Sequence, residues 1–257
     1  MKLGVVQHVF RGLTTDLDRF KRTRAFGLDG IEPDLTLADL ADPGEARLSS
    51  LKASRDATGV PIPSLCMGEH NNQGFVFATW RGQAAVDEVH KAVRWCKALD
   101  ARVLLVPFFF ANEPRNEAQR RRMAETFRPI CREAEQLGVT VCFEGLLTAT
   151  QIWQVTSIVD SPAFGVYFDM GNAVWIDLDP AAEIRALGSL VKQVHIKDTQ
   201  VVCGDSRVGS GRVRLAEVAR ALHDIRYDQW LFIEAFGLGD EAIESDIAAS
   251  RRAFGLR

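Results

Sequence analysis

The chain has 257 residues, with 31 Lys and Arg against 34 Asp and Glu, a net charge of −3, 47% hydrophobic and 25% charged content. That is ordinary globular composition, without the basic footprint of a nucleic-acid binder. The longest strictly apolar stretch, 103–111, is far short of the ~20 residues a membrane-spanning helix needs. His8 and Arg11 interrupt the first apolar run and argue against a secretory signal.

Short apolar runs alternate with longer amphipathic segments from start to end. The predicted strands are 3–8, 30–32, 61–66, 102–107, 140–144, 166–169, 191–197 and 230–234. Leu13, Leu17 and Phe20 suggest a helix after the first, and 46–57 a helix before the third. Val86, Val89, Val93 and Cys96 share one face of a 3.6-residue period. Met123, Phe127, Ile130, Ala134 and Leu137 repeat that pattern, with Pro129 inside it predicting a kink or break. Leu215, Val218 and Leu222 mark another helix, and Ile243, Ile247 and Phe254 the last. Gly27, Gly59 and Gly138 are expected C-terminal stops. The cysteines at 66, 96, 131, 142 and 203 form no CxxC pair and are odd in number, which suits reduced thiols in a cytoplasmic protein.

Repeated strand–helix units predict parallel βαβ crossovers. Eight in this length favour the α/β class with a single (β/α)8 TIM barrel, one domain over residues 1–257. A doubly wound sheet would more often offer a glycine-rich first turn. Here the first strand runs into His8-Val9-Phe10-Arg11-Gly12, with no GxGxxG.

The last four predicted strands each end in a metal-binding side chain: Glu144, Asp169, His195 and Glu234. Barrel strands converge at their C-terminal ends, where active sites lie. One carboxylate after a strand is commonly a helix cap, but four such ends in succession, each behind an apolar run, point to a shared centre. Three carboxylates and an imidazole suit Mn2+, Mg2+, Co2+ or Zn2+. Without a metal their mutual repulsion would raise pKa values and cost stability.

Several segments resemble the sugar phosphate isomerase/epimerase family of xylose isomerase-like barrels. They are Cys142-Phe143-Glu144-Gly145, Tyr167-Phe168-Asp169-Met170-Gly171-Asn172, Val194-His195-Ile196-Lys197-Asp198-Thr199 and Phe232-Ile233-Glu234. Gly27-Leu28-Asp29-Gly30-Ile31-Glu32 and Pro63-Ser64-Leu65-Cys66 are similar too. The second half looks nearest to the branch of L-ribulose/L-xylulose-5-phosphate 3-epimerases. The resemblance implies a divalent metal, manganese foremost, on Glu144, Asp169, His195 and Glu234. It implies that Glu144 and Glu234 also act as acid and base around a metal-stabilised enediolate, in an isomerase or 3-epimerase of a small ketose or ketose phosphate. The chain departs from the free-ketohexose 3-epimerases at Asn172, where they usually carry His. It departs from the pentulose-phosphate enzymes at Gly209-Ser210-Gly211, where they carry Gly-Glu-Gly. A lyase of inosose-dehydratase or 3-keto-glycoside-cleaving type remains an alternative, and so does a non-catalytic sugar or metal binder.

Lys197 lies two positions after His195, on the same inward face and about 6.6 Å further out, where it can meet a substrate oxygen or pair with a carboxylate such as Asp198. Arg207, Arg212 and Arg214 surround Gly209 and Gly211 in a loop where barrels often bind phosphate. Asn172 can order a substrate hydroxyl or cap a helix. Glu69 and His70 follow the third strand, His8 ends the first and Glu32 the second, all candidates for substrate contact. Trp175 and the aromatic residues 108–110 can close over a sugar. The expected partner is a small sugar, with no nucleic acid and no membrane, and a homo-oligomer is compatible with the sequence.

Overall fold

A computed structural model of the chain describes residues 1–74, 80–235 and 239–256. The first elements are β1 (Lys2–Val6), α1 (Asp16–Ala25), β2 (Gly30–Glu32), α2 (Leu37–Ala41), α3 (Ala46–Thr58) and β3 (Ser64–Cys66). Then come α4 (Trp80–Ala98), β4 (Val103–Phe108), α5 (Glu117–Leu137), β5 (Thr140–Gly145), α6 (Ala149–Val159) and β6 (Phe164–Asp169). The chain ends with α7 (Met170–Trp175), α8 (Pro180–Leu187), β7 (Val191–Ile196), α9 (Leu215–Asp224), β8 (Trp230–Ile233) and α10 (Asp240–Phe254). All eight predicted strands are present, in the order β2-β1-β8-β7-β6-β5-β4-β3, and the paired registers run parallel. This is the (β/α)8 TIM-barrel class.

Local chemistry sets the boundaries. β1 stops at Val6 because residues 7–9 tighten into a 3₁₀ turn, so His8 lies just beyond the strand. β3 starts at Ser64 rather than 61, since Pro61 and Pro63 have no N–H to give a ladder. Their carbonyls still accept from Ile31 (3.2 Å) and Arg102 (3.0 Å). Thr36 and Thr148 open α2 and α6 with reciprocal capping boxes through Asp39 and Gln151. Gly27, Gly59 and Gly138 do follow α1, α3 and α5 with left-handed φ of 64°, 70° and 69°. Of the kink or break expected at Pro129, the break is corrected: α5 runs continuously through it. Pro129 and Glu125 are both exposed, so water can serve the Glu125 carbonyl that lacks its helical donor.

The chain gathers into two compact units. One comprises Met1–Glu32, Ala53–Pro61 and Tyr167–Arg257, the other Pro33–Lys52 and Ile62–Val166. In the first, β1 lies between β2 and β8, with Gly4 opposite Phe232. A Cβ on Gly4 would come within 2.4 Å of the Phe232 ring, so only glycine lets that ring lie against the strand. Of the predicted faces, Val218 and Leu222 of α9 and Ile243, Ile247 and Phe254 of α10 are buried, while Leu215 is half-buried.

The second unit has an aromatic core. Phe108 packs on Phe127 and Phe143 at ring separations of 5.4 and 5.5 Å, and Phe127 meets Phe164 edge-on at 5.5 Å. β4 and β5 pair along their length, bringing Pro107 opposite Glu144. No helix among the described residues is long and apolar enough to cross a membrane, and all five cysteines are free thiols.

Candidate metal centre

Three of the four predicted ligands belong to the first unit. Asp169 is the last residue of β6 and caps α7, its Oδ1 accepting the Asn172 N–H at 2.7 Å. His195 lies on β7, and Glu234 directly follows β8, its N–H bonded to the Ile196 carbonyl at 3.1 Å. The strand ends thus supply the positions, while the alternating pleat aims the side chains. Asp169, His195 and Glu234 each offer a ligand atom, and these atoms lie within 4.8 Å of one another.

Lys197 joins this cluster. Its buried ammonium is 2.7 Å from Asp169 Oδ2 and 2.6 Å from Glu234 Oε2. His195 Nδ1 is 3.2 Å from Glu234 Oε2 and 3.9 Å from Asp169 Oδ2. Burial alone would push the Glu234 carboxyl up, but the Lys197 ammonium and His195 outweigh it and hold the group well below the usual carboxylate range. Glu234 Oε1 faces His8 Nε2 at 3.9 Å. On the other side of the imidazole, Glu32 is fully buried. It stands 3.0 Å from His195 Nε2 through Oε1 and accepts the Tyr167 hydroxyl on Oε2 at 2.7 Å.

Glu144 is described with the second unit, where it is buried near the end of β5. The donor set is chemically suited to a divalent cation, with oxygens in the majority and one imidazole nitrogen. The carboxylates of Asp169 and Glu234 already draw one cation, the Lys197 ammonium, between them.

The other candidates are placed as follows. Asn172 sits in α7, its side-chain oxygen accepting from the Cys203 thiol at 2.9 Å. His70, fully buried in a 3₁₀ turn after β3, pairs with Glu88 at 2.8 Å. Its carbonyl takes the Asn112 amide at 2.5 Å. Glu69 is exposed and accepts the Leu37 N–H at 2.9 Å, at the start of α2. The three loop arginines all have carboxylate partners: Arg207 with Asp246 (2.6 Å), Arg212 with Asp177 (2.9 Å) and Arg214 with Asp179 (3.0 Å). Asp246 is buried, which pushes its carboxyl up in spite of Arg207. Phe110 and Trp175 are exposed, whereas Phe108 belongs to the core.

Sequence reasoning missed two residues. Tyr167 precedes Asp169 by two, and strand alternation already puts it on the same face. Asp198 is not the partner of Lys197; it gathers four main-chain N–H groups of the following loop, from Thr199, Gly209, Gly211 and Val213. An Asp followed at loop distance by Gly-x-Gly was the available signal.

Residues 20–253 match the xylose isomerase-like TIM barrel family, and the chain belongs to that family. SgbU of Escherichia coli K12, provisionally named an L-ribulose-5-phosphate 3-epimerase, is 28% identical over 91% of this chain and 88% of its own. UlaE of E. coli K12, an L-ribulose-5-phosphate 3-epimerase, is 24% identical over 97% of this chain and 92% of its own. Among solved structures, the D-psicose 3-epimerase of Clostridium cellulolyticum H10 with D-tagatose superposes with a TM-score of 0.82. It is 19% identical and covers 99% of each chain, a likeness of fold.

Proposed function

We propose that the chain is a divalent-metal-dependent isomerase/3-epimerase of a small ketose or ketose phosphate, and that residues 1–257 form one catalytic domain. The observation that carries this reading is the meeting of Asp169, His195 and Glu234 at successive strand ends, with Lys197 held between the two carboxylates. Family membership and the sugar epimerases among the relatives support it, and the five free thiols support a cytoplasmic setting.

Glu144, Asp169, His195 and Glu234 would hold the ion, manganese foremost. A bound divalent ion supplies Lewis-acid stabilisation of the negative charge that develops beside the substrate carbonyl. Epimerisation removes a proton from one face of the carbon next to that carbonyl and returns one to the other. We assign these transfers to the carboxylate oxygens of Glu144 and Glu234. Lys197 and His195 hold the Glu234 carboxyl well below the usual range, so it is ionised at neutral pH; movement of Lys197 away from it would be needed to restore its basicity. Lys197 and His8, both beside Glu234, would orient substrate oxygens, with Asn172 one turn into α7 steadying Asp169. His70, Glu69 and Arg207 would act through the loops they tie down.

The test is incubation of the purified chain with Mn2+ and a panel of pentuloses, hexuloses and their phosphates in D2O, followed by NMR. Deuterium entering beside the carbonyl, with the epimeric ketose recovered, is the expected result. Glu144→Gln and Glu234→Gln should each abolish exchange while remaining folded. A dehydrated product would assign a lyase instead, and metal uptake without exchange across the panel would leave a binding protein.

A further inference from the structure

An imidazole offers a metal only one of its two nitrogens, and the partner of the other decides which. His195 Nε2 lies 3.0 Å from Glu32 Oε1. Glu32 Oε2 accepts the Tyr167 hydroxyl at 2.7 Å, and with Glu32 ionised Oε1 is an acceptor too, which places the proton on Nε2. Nδ1 points the opposite way, 3.2 Å from Glu234 Oε2 and 3.9 Å from Asp169 Oδ2; a proton held there against Glu234 in the ion-free chain would leave as an ion binds, because a metal ligand must be deprotonated. The Tyr167 ring also packs on the imidazole, with centroids 4.3 Å apart and planes at 50°. Turning the ring over would aim a C–H at Glu32 and strand a fully buried carboxylate.

We propose that Glu32, backed by Tyr167, is a positioning residue that fixes the proton of His195 on Nε2 and presents Nδ1 as the metal-ligand atom. This rests on the metal-dependent reading above. Glu32 would act through His195, the side chain it meets, rather than as a ligand of the ion. Partners of this kind typically contribute 10–100-fold to metal affinity. The sequence carries the arrangement in two places. Glu32 closes the Gly-Ile-Glu strand β2, and Tyr167 shares the pleat face of Asp169.

Two measurements test it, and neither needs turnover. Glu32→Gln keeps the size and one acceptor oxygen but loses the charge. Its Mn2+ affinity by titration calorimetry should fall about 10–100-fold, while Tyr167→Phe, which removes only the hydroxyl, should lose less. A purely structural Glu32 would lower the melting temperature and leave the affinity unmoved. On the unaltered chain with 15N-labelled histidine, Zn2+ should shift the Nδ1 resonance of His195 and leave Nε2 protonated. This second readout decides the matter even if Glu32→Gln does not fold. Unchanged affinity in a folded Glu32→Gln chain, or coordination through Nε2, overturns the inference and leaves the metal-dependent reading standing. An unaltered chain that takes up neither ion overturns both.

Discussion

The loop between β7 and α9 is organised by one buried carboxylate, and this can be tested directly. Asp198 Oδ1 accepts from Thr199 and Val213 at 2.8 and 3.0 Å, and Oδ2 from Gly209 and Gly211 at 2.9 Å each. In Asp198→Asn one end of the side chain becomes an amide donor. Whichever way it turns, two main-chain N–H groups then face a donor. Bonds to an ionised acceptor contribute roughly 1.5–3 kcal/mol each, so losing two costs about 3–6 kcal/mol. Asp198 is buried, so water cannot replace them without opening the loop. At about 2–4 °C per kcal/mol for a chain of this size, the lower figure already predicts a fall of about 6–12 °C in Tm. Calorimetry reads the global loss, and hydrogen exchange reads local opening at Gly209 and Gly211. A Tm within ~2 °C of the parent, with those amides equally protected, would refute the role given to Asp198.

Pro129→Ala should stabilise the chain by up to about 3 kcal/mol, because it restores a donor to the Glu125 carbonyl within an unbroken helix. An unchanged denaturation midpoint at equal m-value would refute this. The Cys131 thiol is pushed up to about 12, first by burial and then by Glu135. A thiol reagent at pH 8 should therefore label the half-buried Cys203 in the native chain and spare Cys131; rapid labelling of Cys131 would contradict its placement. Burial raises the Glu133 carboxyl, but His90 and Arg94 lower it further than burial raises it. A group lowered in the folded state stabilises it above its unfolded pKa and loses that contribution as pH falls through the folded value. Glu133→Gln should thus be less stable than the parent at pH 7, with the gap closing below the ordinary Glu range. A gap constant with pH would remove the ion pairs as its cause.

The strands and three ligand positions were legible because β6 and β8 are apolar runs that lead into one carboxylate each, and His195 stands near the end of β7 behind Val194. Burial of a run and the alternation of its pleat are local properties, so a linear pattern records them. His70 shows where that stops. A histidine after a strand suggests a mouth residue, but the 3₁₀ turn folds it inward onto Glu88, 18 residues away, while Asn112, 42 residues away, holds its carbonyl. Loop geometry of this kind depends on partners that no local period announces. Arg207 is similar: its neighbourhood of glycines suggests an anion loop, yet its partner Asp246 is on α10. The break allowed for at Pro129 did not occur, for the opposite reason. A local rule was applied where the helix could meet its cost at an exposed carbonyl.

The charges around His195 show how such a cluster is held together. A buried carboxylate needs donors or a counter-charge, and each one here has two. Glu32 has the Tyr167 hydroxyl and the His195 ring. Asp169 has the Asn172 N–H and Lys197, and Glu234 has Lys197 and His195. The carboxylates are therefore fixed by the chain's own groups, and an arriving ion need not order them, which removes part of the usual entropic cost of binding. Lys197 is the adjustable member. Arginine would present a rigid planar fork to the same two oxygens, whereas a compact ammonium on a flexible stem can shift from them toward a substrate oxygen when another cation takes up their charge. On the proposed reading, the lysine two residues after His195 keeps the acidic cluster compensated in whichever state the centre occupies.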